Sequence, residues 1–129
     1  MNAHTPEEVH LRWLDAINAG HLDDVLTLYE PDSSIVDTEG NLLQGLDAIR
    51  NVTAGLLQLE PTFELHVARA LQCGDIALLL SPWRMTGFAG GDPIEMQGTT
   101  TDLVRRQNDG TWRFVIDNPT GMSILGAGA

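Results

Sequence analysis

The sequence predicts a single α+β domain in which a long, mostly antiparallel sheet wraps around three N-terminal helices. Its 129 residues are the length of one ordinary domain, whereas two half-length domains would each have a marginal core. Apolar residues recur at helical spacing up to Pro61 and alternate with polar residues after it. Helices and antiparallel strands in separate halves of a chain are typical of the α+β class.

The first helix begins after Thr5. This residue can cap the N-terminus, Pro6 suits the first turn, and Glu8 completes a capping box. Gly20 ends the helix. Its buried stripe, at a spacing of three to four residues, consists of Val9, Trp13, Leu14 and Ile17.

A second helix follows directly, with two aspartates in its first turn, and Pro31 stops it. Residues 34–37 and 42–43 then predict a short hairpin. The third helix begins after Gly45 and ends before Pro61. Its buried stripe consists of Leu46, Ile49, Val52 and Leu56.

The second half of the chain predicts a meander of four antiparallel strands, which cover residues 63–71, 76–88, 94–107 and 112–117. The turn Asn108-Asp109-Gly110 is the strongest hairpin signal. Pro82, Gly87 and Gly98 are the expected bend points, so that the sheet can curl around the helices and leave a pocket. We expect one domain over residues 1–129, with a flexible Gly/Ala-rich tail from about residue 120.

Composition and charge limit the classes of ligand that the protein is expected to bind and the cellular compartment in which it is expected. Eighteen acids face seven bases, all of them arginine, and the net charge of −11 argues against binding to nucleic acid or to an anionic membrane. The longest apolar run, Ile76 to Leu80, is far too short for a membrane helix. Cys73 is the only cysteine, and the four histidines lack a ligand spacing, so we expect no metal site. The N-terminus has no signal-peptide pattern, which predicts a cytoplasmic protein.

Asp102 is the first candidate catalytic residue. It alternates in phase with Ile94, Met96 and Val104, on the more apolar face of its strand. Burial favours the neutral form of a carboxyl group, so an inward Asp102 would donate a hydrogen bond. A bulge at Gly98 would reverse this orientation. The alternative is a structural ion pair with the neighbouring arginines of residues 105–106.

Asp37 is the second candidate, at the end of the short strand that carries Ile35. Two carboxyl groups in unlike surroundings can divide into a base and a neutral acid. We expect Asp37 to be the base. The alternative is a turn residue whose carboxylate accepts backbone N–H groups, because Asp37 precedes Thr38-Glu39-Gly40.

Three segments together resemble one family: residues 14–37, which include Leu28-Tyr29-Glu30-Pro31-Asp32, residues 45–50 (Gly-Leu-Asp-Ala-Ile-Arg), and the final hairpin, residues 109–119. The chain is similar to SnoaL-like and ketosteroid-isomerase-like proteins of the nuclear transport factor 2-like superfamily. The resemblance implies a conical barrel with a pocket at one end and a homodimer formed through the outer face of the sheet.

The resemblance also implies roles for the candidate residues. In ketosteroid isomerases a carboxylate moves a proton beside a carbonyl group, while a Tyr and a protonated Asp hold the oxyanion. Asp37 falls at the position of the base and Asp102 at that of the protonated acid, whereas Trp13 replaces the Tyr. An indole N–H matches an oxyanion less well than a phenol, so this departure argues against steroid isomerisation itself.

The favoured hypothesis is a cofactor-independent acid–base enzyme, acting by isomerase- or cyclase-like proton transfer on a small hydrophobic carbonyl compound. We expect Trp13, Phe88 and Met96 to line the pocket and Arg84 to anchor a substrate oxygen. Trp13 can instead belong to the core, and Arg84 can instead satisfy a buried acid such as Asp117. The alternative function is a non-catalytic binding or dimerisation module with a vestigial pocket.

Overall fold

The computed structural model describes residues 2–125. Three helices and seven strands form an α+β fold, which confirms the predicted class. The elements in chain order are α1 (Pro6–Ala19), α2 (Leu22–Leu26), β1 (Tyr29–Val36), β2 (Leu42–Gln44), α3 (Leu46–Leu57), β3 (Thr62–Leu65), β4 (Arg69–Cys73), β5 (Ile76–Ala89), β6 (Asp92–Arg106), β7 (Trp112–Asp117) and a final 3₁₀ helix (Gly121–Leu125).

One curved, mixed sheet contains all seven strands in the order β2-β1-β7-β6-β5-β3, and β4 pairs with β5 beside β3. The sheet does not close on itself, so the molecule is an open cone around the helices. Every neighbouring pair is antiparallel except β1 and β7, which are parallel. The helices cover the inner face of the sheet, and the core lies between the two layers. None of the helices within residues 2–125 is long and apolar enough to span a membrane.

The ends of α1 follow the sequence signals. The hydroxyl oxygen of Thr5 accepts the Glu8 N–H at 3.2 Å, and Gly20 ends the helix in the left-handed conformation at φ 75°. Val9 and Ile17 of the predicted stripe are buried. The cap and the stripe fix both the start of α1 and the face that it turns towards the sheet.

Two strand boundaries differ from the prediction. The segment expected to continue α2 up to Pro31 instead opens β1, because the Leu28 carbonyl accepts the Phe114 N–H at 2.7 Å and draws the chain into the sheet beside β7. The strand expected over residues 63–71 is divided into β3 and β4, which pair with different parts of β5. Both differences arise from partners that are distant in sequence.

The C-terminal residues bear only partly on the predicted flexible tail. Gly121–Leu125 forms the 3₁₀ helix and contacts β6. Residues 126–129, on which the rest of that prediction falls, lie outside the described part of the chain.

Candidate functional site

A cavity of about 380 Å³ lies between the helices and the inner face of the sheet. Its wall is largely apolar, with the rings of Trp13, Phe63 and Trp83 in mutual contact: the ring centroids of Trp13 and Phe63 are 5.0 Å apart, and those of Phe63 and Trp83 are 5.7 Å apart. Four hydrogen-bonding or titratable side chains share one end of the cavity. We call them the polar floor: His10, Tyr29, Asp102 and Asp117.

Asp102 faces the cavity because β6 keeps its alternation. Pairing between β5 and β6 is unbroken from Ile76 to Ala89, so Gly98 carries no bulge and Asp102 turns inward as the alternation predicts. Gly98 has a different function in packing, since a Cβ there would lie 2.9 Å from the Trp83 indole opposite. Met96 and Thr100 share the inward phase and also line the cavity.

Asp102 is 2% exposed and accepts hydrogen bonds on both carboxylate oxygens. Its Oδ2 lies 2.6 Å from Nε2 of His10, and its Oδ1 accepts the backbone N–H of Asn118 at 2.7 Å. The alternative of an ion pair with neighbouring arginines does not occur, because Arg105 binds Glu30 and Arg106 binds Asp75. Asp102 therefore accepts from Asn118 and pairs with His10, and its role as a neutral donor stays a prediction.

His10 is held from both sides of its ring. Nε2 faces the Asp102 carboxylate, and Nδ1 lies 2.7 Å from the hydroxyl oxygen of Ser81. Since a carboxylate only accepts, this pairing assigns a proton to Nε2. The order serine, histidine, aspartate resembles a nucleophilic triad. However, Ser81 is fully buried and does not line the cavity, so it orients the ring.

A bulge in β7 brings Asp117 to the polar floor. Val104 of β6 pairs with Phe114, but the next residue, Leu103, pairs with Ile116, so β7 contains one extra residue. The extra residue shifts the alternation, with Phe114 facing inward, Ile116 outward and Asp117 inward again. Without the bulge, Asp117 would point away from the cavity.

Asp117 and Tyr29 form the second half of the polar floor. The Tyr29 hydroxyl donates to Oδ2 of Asp117 at 2.6 Å, and its ring stacks on Phe114 with the centroids 4.5 Å apart. Burial, followed by repulsion from the Asp102 charge, holds the pKa of Asp117 well above its usual value. Burial and the neighbouring Asp117 likewise raise the pKa of Tyr29.

Asp37 lies at the mouth of the cavity, and its surroundings argue against the base role predicted for it. Its Oδ1 accepts the backbone N–H groups of Glu39 at 2.9 Å and Asn41 at 2.8 Å. These bonds stabilise the carboxylate and lower the pKa of Asp37. The turn alternative describes this residue, and a carboxylate stabilised in this way is a weak base.

Two of the four residues predicted to bind the substrate line the cavity, and the other two do not. Trp13 and Met96 line the cavity, whereas Arg84 and Phe88 do not. Arg84 lies on the outer face of β5, where its Nε donates to Glu95 at 2.8 Å. Phe88 is 48% exposed and lines a separate surface cleft with Ile94. Both predictions are wrong, because strand alternation directs these two side chains of β5 away from the cavity.

Sequence reasoning missed three residues of the polar floor. His10 carried a usable signal, since it lies three residues before Trp13 and seven before Ile17, on the buried stripe of α1. Tyr29 was assigned to α2, and Asp117 to a strand end. Their inward orientation depends on the parallel β1–β7 pair and on the bulge, for which the sequence shows no signal. Within residues 2–125, no group of three or more His, Cys, Asp or Glu is arranged to hold a metal ion.

One family model matches most of the chain, and solved structures share its fold. The family model that describes a SnoaL-like domain matches residues 10–115. No curated protein matches the sequence.

Solved structures share the fold at low identity. A ketosteroid isomerase-like protein from Erwinia carotovora atroseptica superposes with a TM-score of 0.76 at 18% identity, over 87% of this chain and 89% of that one. A proposed dehydratase of the NTF2-like family from Streptomyces avermitilis gives 0.75 at 16%, over 87% and 90%. An NTF2-like protein of unknown function from Shewanella oneidensis gives 0.72 at 15%, over 86% and 92%.

Proposed function

This chain belongs to the SnoaL-like domain family, and we propose that it is an acid–base enzyme that moves a proton beside the carbonyl group of a small, largely apolar compound without a cofactor. The proposal keeps the predicted chemistry and changes the residues. Asp102 is the base, Asp117 is the neutral acid, and His10 and Tyr29 support them. The single observation that carries it is the placing of two carboxyl groups side by side at the floor of an apolar cavity.

The surroundings of the two carboxyl groups support different roles. Asp102 accepts from His10 and from a backbone N–H, bonds that favour a carboxylate. Asp117 is buried beside that charge, which raises its pKa. Two adjacent carboxyl groups that cannot both ionise share one proton, so one member is a base while the other is an acid.

The wall of the cavity indicates the substrate class. Its rings, Trp13, Phe63 and Trp83, offer apolar contact to a hydrophobic body. The net charge of −11 opposes a polyanionic ligand. A neutral compound with an apolar skeleton and one carbonyl oxygen directed at the polar floor suits both properties. In such a site hydrogen bonds to a developing oxyanion are stronger than they are in water.

The proposed reaction balances within these residues. The Asp102 carboxylate takes a proton from the carbon next to the carbonyl, that C–H bond breaks, and its electron pair forms the enolate. The O–H of Asp117, with Tyr29 hydrogen-bonded behind it, donates to the enolate oxygen. Asp102 then returns the proton, either to the same carbon or to a conjugated one, and the second outcome is an isomerisation. His10 keeps the carboxylate in position throughout.

Hydrogen–deuterium exchange tests this function without knowledge of the product. The probe is 2-tetralone, an apolar bicyclic ketone, incubated with the protein in D₂O while the loss of its α-proton signals is followed by ¹H NMR. We expect exchange faster than in buffer, and Asp102→Asn to remove about 10²–10⁴-fold of it, the usual contribution of a placed general base.

Asp109→Asn is the matched control, because that carboxylate also loses a charge but lies in the exposed β6–β7 turn, bonded to Thr111. It should exchange at the wild-type rate. If the wild type binds 2-tetralone without accelerating exchange, the molecule is the non-catalytic binding module. If Asp102→Asn exchanges as fast as the wild type, Asp102 is not the base.

We also propose that two copies associate through the outer face of the sheet. The strand register aligns four large apolar residues in one row across β4, β5, β6 and β7: Leu71, Leu78, Leu103 and Ile116. Three of them are exposed by 37–45%, which is unfavourable for a row of neighbouring side chains unless a partner covers it. Sedimentation should show a dimer that Leu78→Glu converts to monomer. A monomeric wild type would contradict the proposal.

A further inference from the structure

We propose that Asn118 is a positioning residue, which is clamped on the outer face of the sheet and aims its backbone N–H at Asp102 on the inner face. The proposal rests on the role of Asp102 in the proposed function. It adds that the protonation of the carboxyl pair depends on contacts made on the opposite side of the sheet. Asn118 follows the bulged strand β7 directly, so the backbone feature that turns Asp117 inward also orients this amide.

The inner contact is short. The Asn118 N–H donates to Oδ1 of Asp102 at 2.7 Å. On the other carboxylate oxygen, Nε2 of His10 is the partner. Backbone N–H groups stabilise a carboxylate because they donate and carry no charge that could be lost with pH. Removing this donor should therefore favour the protonated form of the pair.

The outer contacts involve the side chain of Asn118. Its Nδ2 donates to the hydroxyl oxygen of Thr101 at 2.9 Å and to the Gly121 carbonyl at 3.2 Å. The backbone carbonyl oxygen of Asn118 accepts the Thr101 N–H at 3.0 Å. Thr101 alternates with the inward residues Thr100 and Asp102, so its side chain lies on the outer face.

Two further observations show that this arrangement is constrained. The other amide atom, Oδ1 of Asn118, is buried and has no hydrogen-bond partner within residues 2–125. An unpaired buried oxygen is unfavourable, so the two Nδ2 bonds must hold the amide in this orientation. Gly121 packs so closely that a Cβ would lie 2.5 Å from the Thr99 carbonyl oxygen, and this packing fixes the Gly121 carbonyl that accepts from Nδ2. We call the hydrogen bonds of Asn118 to Thr101 and Gly121 the clamp.

Every titratable group that faces Asp102 within the described residues belongs to the polar floor: His10 on α1, Tyr29 on β1 and Asp117 on β7. Within residues 2–125, none of them is hydrogen-bonded to Thr101 or to the Asn118 side chain. A change at Thr101 can reach the carboxyl pair through the backbone of residue 118 or through its own peptide bond to Asp102, whereas Asn118→Ala reaches the pair without altering β6.

The test compares Asn118→Ala and Thr101→Val with Thr99→Val, which removes the same hydroxyl type from the same face of β6 but leaves both Nδ2 bonds of Asn118 in place. The backbone amide of residue 118 is followed by ¹H–¹⁵N NMR across the pH range. In the wild type its proton should resonate at low field and shift as the carboxyl pair titrates. Both clamp variants should lose the low-field position and exchange with solvent about tenfold faster or more, a change that a net hydrogen bond of ordinary strength accounts for.

The pH profile of 2-tetralone exchange supplies a second measurement. The acidic limb should move to higher pH in both clamp variants and in the double variant by no more than in either single one, since they break the same clamp. Thr99→Val should match the wild type. An amide of residue 118 that is unaffected by either clamp variant would overturn the proposal, even where the Asp102→Asn result upholds the base. A residue 118 amide that responds in both clamp variants, while Asp102→Asn exchanges 2-tetralone as fast as the wild type, would uphold the clamp and contradict the proposed function instead.

Discussion

Asp37 and Asp117 line the same cavity but differ in the properties that decide whether a carboxyl group can work as an acid or a base. Asp37 is partly exposed at the mouth, its carboxylate accepts backbone N–H groups, and its pKa is lowered. Asp117 is buried at the floor beside a second carboxyl group, and its pKa is raised. One stabilises a turn, and the other holds a proton.

The contrast shows that the number and charge of the neighbours define the role of an acidic residue. Asp117 is the last residue of β7, Asp37 directly follows β1, and each precedes a turn-forming segment, so local sequence assigns them a similar structural role. Backbone N–H groups of the turn that follows Asp37 donate hydrogen bonds to its carboxylate. Among the described residues, the polar neighbours of Asp117 are the Tyr29 hydroxyl and Asp102. Burial and the charge of Asp102 raise the pKa of Asp117, which favours its protonated form.

Asp117→Asn should give the largest effect on stability and the clearest break in the comparison. The folded protein holds the proton of Asp117 to higher pH than the unfolded chain does, so wild-type stability falls as the pH rises above about 4. The amide cannot ionise and still fits between Tyr29 and Asp102. We expect a gain of about 1–3 kcal/mol in the free energy of unfolding at pH 7.

Chemical denaturation at a series of pH values measures this gain. The difference between Asp117→Asn and the wild type should shrink towards pH 4 and level off below it. A constant difference across the range would mean that the pKa of Asp117 is ordinary. The pair would then lack a neutral acid.

Tyr29→Phe should have a smaller effect of opposite sign on stability. The variant keeps the ring that stacks on Phe114 and removes only the hydroxyl that donates to Asp117. One net hydrogen bond contributes about 1 kcal/mol to the free energy of unfolding, so a loss of that size is expected. Because the hydroxyl also lowers the pKa of Asp117, its removal should extend the pH range over which Asp117 stays neutral. Denaturation and carboxyl NMR measure the two effects, and an unchanged titration would show that Tyr29 serves packing alone.

Asp37→Asn should give the smallest effect, with a pH dependence opposite to that of Asp117→Asn. The lowered pKa of Asp37 contributes stability above the ordinary carboxyl value, and this contribution is lost as the pH falls through the lowered pKa. The variant should thus melt slightly below the wild type at pH 7 and approach it in acid, while 2-tetralone exchange is retained. A large loss of exchange would restore Asp37 as the base.

The parts of the fold that depend on local patterns were predictable. Thr5, Gly20 and the stripe of α1 define that helix through neighbours a few residues away. The inward phase of Asp102 followed from alternation, because no bulge interrupts β6 at Gly98. The cavity wall was partly predicted through Trp13 and Met96.

The polar floor depends on contacts that local patterns do not contain. Tyr29 joins β1 because β7, some 85 residues later in the chain, lies parallel to it. Asp117 turns inward only because β7 has one extra residue against β6. His10 meets Asp102 across 92 positions of sequence. In each case a partner chosen by the tertiary fold overrides the role that the local sequence suggests.

The ¹³C NMR titration of the side-chain carboxyl carbons, assigned with Asp102→Asn, Asp117→Asn and Asp37→Asn, tests the central claim most directly. We expect the Asp117 carbon to keep the chemical shift of a protonated carboxyl group at pH values above the usual aspartate pKa of about 4, while the Asp37 carbon reports a carboxylate at those pH values. An Asp117 carbon that titrates at or below the usual value would contradict the claim that the cavity floor holds a proton.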